Sequence, residues 1–131
     1  MSSLRHDAVL IADSDASIRG LLGAIVQRLG RQPVMAADGP AAARLLRAQK
    51  FAAAVVDLRL PNTNGNDLLR DLDCPEPSLL PRTVVITTAV PPGIDGELKH
   101  VAAILRKPFA IEELMAALRR CCDGDGEDGE A

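Results

Sequence analysis

Five short apolar runs of strand length alternate along this chain with segments patterned as helices, and that alternation decides most of what the chain can fold into. The run "AVLIA" (8–12) is apolar throughout, which marks a strand covered on both faces. Ile18, Leu21, Leu22, Ile25 and Leu29 follow at helical spacing, with Asp15 placed to cap the helix start and Gly30 to end it. "PVMAA" (33–37) is a weaker strand, and its proline suits a sheet edge or a strand start. Pro40 opens a second helix with Ala42, Leu45 and Leu46 on one face. "FAAAVV" (51–56) is the third strand, followed by a short helix around Asn66–Leu72, and "CPEPSLLP" (74–81) reads as loop. "TVVIT" (83–87) and "AAIL" (102–105) are the last two strands. Ile111, Leu114, Met115, Leu118 and Cys122 stripe a final helix.

Strands alternating with helices predict an α/β fold: a doubly wound, five-stranded parallel sheet with helices on both faces. The chain has 131 residues, enough for one domain that buries roughly two-thirds of its unfolded surface. That domain is expected to span 1–122. "DGDGEDGEA" (123–131) is acidic and glycine-rich, and its composition predicts a disordered tail.

Composition narrows the function classes. There are two Phe, no Tyr and no Trp, so no aromatic platform is available to stack on single-stranded nucleic acid. A net charge of −3 offers no basic footprint for DNA or RNA. Cys74, Cys121 and Cys122 fit no zinc or redox spacing and read as reduced thiols. His6 and His100 have no ligand partners at useful spacing and read as surface residues. No signal-like start or membrane-length apolar run is present, so a cytoplasmic protein without membrane insertion is expected. No Gly-x-Gly-x-x-Gly follows the first strand, which removes a dinucleotide fold.

In parallel sheets ligands gather beyond the carboxyl ends of the strands, so the residues ending each strand carry the functional argument. They are Asp13-Ser14-Asp15, Asp57, Thr88-Ala89 and Lys107-Pro108. Two carboxylates about 4 Å apart repel by about 4 kcal/mol at an effective dielectric of 20, and so call for a cation. Oxygen ligands with one or two carboxylates suit Mg²⁺, which welcomes phosphate as a further ligand. Lys107 adds a fixed positive charge, and the Thr88 hydroxyl can donate to an anionic oxygen. Taken singly, an Asp here is a cap, a Thr bonds to backbone and a Lys is solvated. As a set they suit a phosphoryl group carried on a carboxylate.

Four motifs in this order, "VLIADSD", "VVDLRLPNTNG", "VVITTA" and "LRKPF", resemble the response-regulator receiver domain of two-component signalling. The resemblance runs from about Asp7 to Cys122. It implies strand order 2-1-3-4-5 and a phosphoryl group accepted on Asp57 from a sensor histidine kinase or a histidine phosphotransfer protein. It also implies Mg²⁺ held by Asp13, Asp57 and the backbone carbonyl of Arg59, with Thr88 and Lys107 on the phosphoryl oxygens and a cis Lys107–Pro108 bond. A stand-alone domain signalling to a downstream protein by contact is expected, with no nucleic-acid partner and no independent substrate turnover.

Three departures qualify this. The family usually carries two adjacent acids after the first strand, whereas Ser14 stands in the second place as a weak ligand, so weak Mg²⁺ binding is expected. Ile104 replaces the usual aromatic three residues before the lysine. The span from Thr88 to Ala103 is close to the lower limit of about 10–12 residues for a crossover with a helix, and Pro91, Pro92, Gly93 and Gly96 occupy it. The fourth helix is therefore predicted to be missing or limited to one or two turns around Glu97–Ala102, with Leu98 and Val101 its only large apolar anchors. Two other readings remain: a degenerate receiver that binds partners without phosphorylation, and, from Asp13-x-Asp15, a haloacid-dehalogenase-type phosphatase.

Overall fold

The computed structural model describes residues 7–91 and 93–130, the side chains of Asp95, Glu97 and 123–130 excepted. His6 lies outside the described residues. Five strands, β1 (Ala8–Ala12), β2 (Gln32–Ala36), β3 (Ala53–Asp57), β4 (Thr83–Thr87) and β5 (Ala103–Arg106), form one sheet in the order β2-β1-β3-β4-β5. Every pairing is parallel. Pro33 does sit on an edge strand, where its missing N–H is tolerated.

The helices are α1 (Ala16–Arg28), α2 (Gly39–Ala48), α3 (Gly65–Asp73), α4 (Asp95–Leu98) and α5 (Ile111–Glu130). Strand alternation divides the core between two faces. Val9, Ile11, Ala53, Val55, Val84 and Ile86 pack with Leu22, Ile25 and Val26 of α1 and Leu114 and Leu118 of α5. Leu10, Ala12, Ala54, Val56 and Val85 pack with Leu46 of α2, Leu68, Leu69 and Leu72 of α3 and Leu98 of α4. Leu10 and Ile11 have no exposed surface. Truncating either to Ala removes dispersion contacts on one whole face, a loss of about 2–5 kcal/mol.

Capping follows the sequence. Asp15 accepts from the Ser17 and Ile18 amides at the start of α1, and Gly30 takes φ +80° just past its end. Asp38 and Asn64 cap α2 and α3 in the same way.

One expectation needs correction. The helical turn of the fourth crossover lies at Asp95–Leu98, not around Glu97–Ala102. Ile94 and Leu98 are both buried, at 3% and 9% exposure, and their one-turn spacing brings both onto the core side of that turn. The helix thus starts as soon as Ile94 is seated. Helical backbone in α5 runs as far as Glu130. Packing against the sheet is documented as far as Cys121 and Cys122.

Candidate functional site

The site grows out of the sheet register. Ala12 pairs with Val56, so the next residues, Asp13 and Asp57, stand side by side where β1 and β3 end. Thr87 pairs with Arg106, and the Lys107 amide donates to the Thr87 carbonyl at 2.8 Å, which brings Lys107 beside Thr88. Asp13 continues the alternation of Val9 and Ile11, Asp57 that of Ala53 and Val55, and Thr88 that of Val84 and Ile86. Lys107, following Ala103 and Leu105, joins them on the same side of the sheet's carboxyl edge. A one-residue slip in any strand would dismantle the cluster.

Asp13 is fully buried and Asp57 is 8% exposed. Lys107 Nζ lies 2.7 Å from Asp13 Oδ2 and 2.8 Å from Asp57 Oδ2. The other oxygen of each acid is held by its own turn. The Asp15 amide donates to Asp13 Oδ1 and the Arg59 amide to Asp57 Oδ1, both at 2.9 Å. Each carboxylate is therefore fixed by one oxygen and offers the second to the cation between them. Burial acts to lower the Lys107 pKa, but hydrogen bonds and charges from Asp13 and Asp57 outweigh it and raise the pKa above its usual 10.5. Lys107 stays an ammonium throughout the physiological range. The Lys107–Pro108 bond is cis.

Not every predicted site residue joins this contact. Thr88 is exposed at the rim. Its neighbour Thr87 is fully buried and bonded into the turn, donating to the Ala89 carbonyl at 2.8 Å. Ser14 is exposed. Asp15 does not replace a missing acid, because its carboxylate caps α1. Sequence reading missed Arg19, whose guanidinium donates to the Asp13 carbonyl at 2.7 Å and ties α1 to the end of β1. Its position six residues after Asp13, one turn into the capped helix, was the available signal.

The donor set suits a hard divalent cation. Two buried carboxylates converge on an ammonium, all donors are oxygen, and the turn after Asp57 already folds the Arg59 peptide back toward that acid. What is thin is charge. Among the described residues no group of three or more His, Cys, Asp or Glu gathers as a metal cluster.

Comparisons with known proteins bear on the family and the fold. The family model for the response regulator receiver domain matches residues 9–119. Sporulation initiation phosphotransferase F of Bacillus subtilis is 24% identical over 89% of this chain and 94% of its own length. Protein PetR of Rhodobacter capsulatus is 32% identical over 92% of this chain but 52% of its own length. The chain spans about half the length of PetR and of several other regulators it matches. Among solved structures, the chemotaxis response regulator CheY4 of Vibrio cholerae superposes with a TM-score of 0.76 at 25% identity, over 89% of this chain and 99% of that one. The receiver domain of sensor histidine kinase PA1611 of Pseudomonas aeruginosa, solved with magnesium coordinated in its active site cleft, gives 0.76 at 24% identity, over 91% of this chain and 99% of that one. Receiver domains are signalling domains rather than enzymes that turn over a substrate, which sets the phosphatase reading aside. The carboxyl-edge cluster, the strand order and the extent of the family match lead to one conclusion: this chain belongs to the response regulator receiver domain family.

Proposed function

We propose that the domain accepts a phosphoryl group on Asp57 from a phosphohistidine of a sensor kinase or phosphotransfer protein, and passes that state to a downstream protein by contact. The observation that carries this reading is the Lys107 ammonium bridging Oδ2 of Asp13 and Oδ2 of Asp57. Asp57 Oδ1 is occupied by the Arg59 amide, so Oδ2 is the attacking oxygen. The new P–O bond forms as the P–N bond breaks, and the donor imidazole leaves with the electron pair. Lys107 then transfers its contact to a phosphoryl oxygen, and the Thr88 hydroxyl donates to another.

Asp13, Asp57 and the Arg59 carbonyl would hold Mg²⁺, with Ser14 a weak further ligand. When bound, the ion offsets the charge of two carboxylates and an incoming phosphoryl group. Similarity over 94% of the length of sporulation initiation phosphotransferase F supports a role in phosphotransfer signalling, and a cytoplasmic location suits that role. Among the described residues no helix is long and apolar enough to cross a membrane.

One observation favours a second reading. With Ser14 exposed and Asp15 committed to a cap, the metal site has one acid fewer than usual, as expected of a receiver that binds partners without phosphorylation. Incubation with acetyl phosphate and Mg²⁺ separates the two. An adduct that hydroxylamine removes is an acyl phosphate and supports phosphotransfer. No adduct at saturating donor supports the binding module.

A further inference from the structure

Ile94 belongs to the crossover between β4 and α4, yet it is only 3% exposed and joins the core cluster that holds Leu58, Leu68 and Leu98. Its seat is the space over Gly65. A Cβ built on that glycine would overlap Ile94 Cδ1 and would lie 3.8 Å from the Leu58 carbonyl oxygen. Gly65 opens α3, and Leu58 directly follows Asp57. One aliphatic side chain therefore links the fourth crossover to the loop that leaves the phosphoacceptor.

Its surroundings allow that link to move. A cavity of about 320 Å³, lined by Asn64, Asp67, Arg70, Pro91 and Ile94 among others, adjoins the contact. The crossover has a single helical turn, Asp95–Leu98, behind it. The usual alternative route is absent, because Ile104 is aliphatic and 43% exposed. No ring is present at that position to follow a movement of Thr88.

We propose that the Ile94–Gly65 contact carries the phosphorylation state of Asp57 to the fourth crossover, in place of an aromatic side chain acting behind Thr88. This rests on Asp57 being the phosphoacceptor. A phosphoryl group on Oδ2 pulls on the Leu58–Arg59 peptides, whose neighbours pack under Ile94. Packed contacts shift between discrete arrangements rather than deforming smoothly, so the crossover reorders when the loop moves.

The test uses beryllofluoride, a stand-in for the phosphoryl group, with two readouts. Fluorine NMR reports its binding at Asp57, and hydrogen exchange reports residues 93–102. In the wild type, binding should slow exchange over 93–102 by about tenfold. Ile94→Ala should reduce that slowing to less than about twofold while the fluorine signal of the bound complex remains. Ile94→Val, a milder truncation, should fall between the two. Gly65→Ala should lose the slowing as well, and the Gly65→Ala/Ile94→Ala pair should be no worse than either alone, as expected of residues acting through one contact. Undiminished slowing in Ile94→Ala overturns the proposal, as does bound beryllofluoride with no change in wild-type exchange over 93–102. Failure of beryllofluoride to bind the wild type would instead strike at the reading of Asp57.

Discussion

Lys107 Nζ sits 2.7 Å from Asp13 Oδ2, joining residues 94 apart in the chain. The same ammonium serves Asp57, so one cation holds two buried acids that would otherwise repel. Lys107→Met should lower the stability of the metal-free protein by about 3 kcal/mol, because it leaves two buried carboxylates facing each other. Added Mg²⁺ should restore part of that loss. Urea unfolding with and without Mg²⁺ measures both, and unchanged stability would mean that the bridge contributes nothing net.

The same bridge sets an alkaline limit. A lysine whose pKa is higher in the folded than in the unfolded chain adds stability below its unfolded value of 10.5, and that stability is lost as pH rises through the folded one. Burial pushes the Cys121 thiol up to about 11 from its usual 9.0, and this costs stability from pH 9.0 to about 11, because the unfolded thiol ionises first. Wild type should therefore weaken steadily above pH 9.0. Lys107→Met should retain the Cys121 decline between pH 9.0 and about 11 and lose only the lysine's own contribution, which begins at 10.5. Urea midpoints across this range would show it, and parallel curves for the two proteins would contradict it.

Ser14→Asp should tighten Mg²⁺ by about tenfold, since metal affinity at oxygen sites follows the number of charged ligands. The chain has no Trp, so the titration uses calorimetry or an introduced probe. Unchanged affinity would mean that position 14 lies outside the coordination sphere.

Arg19→Ala should weaken Mg²⁺ by about fivefold, because the Asp13 carbonyl loses the donor that fixes the end of β1. Arg19→Lys should recover part of that loss. The sign discriminates: a guanidinium acting only through its charge would repel the metal, and its removal would then tighten binding.

How much of this was legible depended on whether a residue's role is local. Asp15 caps α1 through bonds to amides two and three residues away, a range that sequence pattern captures. β1 and β4 were bounded correctly because continuous apolar runs stop abruptly at polar residues. The acids and the lysine could be grouped because parallel strands bring their carboxyl ends to one edge. Ile94 could not be foreseen: an isoleucine directly after two prolines and a glycine reads as loop, and its burial depends on Gly65, which arrives from the start of α3. Arg19 was hidden for a related reason, since an arginine early in an amphipathic helix ordinarily faces solvent.

The central claim is that Asp57 receives the phosphoryl group, and intact-mass spectrometry tests it most directly. Wild type and Asp57→Asn are incubated with acetyl phosphate and Mg²⁺ and weighed. The wild type should gain a single phosphoryl adduct and Asp57→Asn none, because the only other described acid at a buried strand end in contact with Lys107 is Asp13, to which the proposed function gives Mg²⁺ instead. An equal adduct on Asp57→Asn would contradict the assignment.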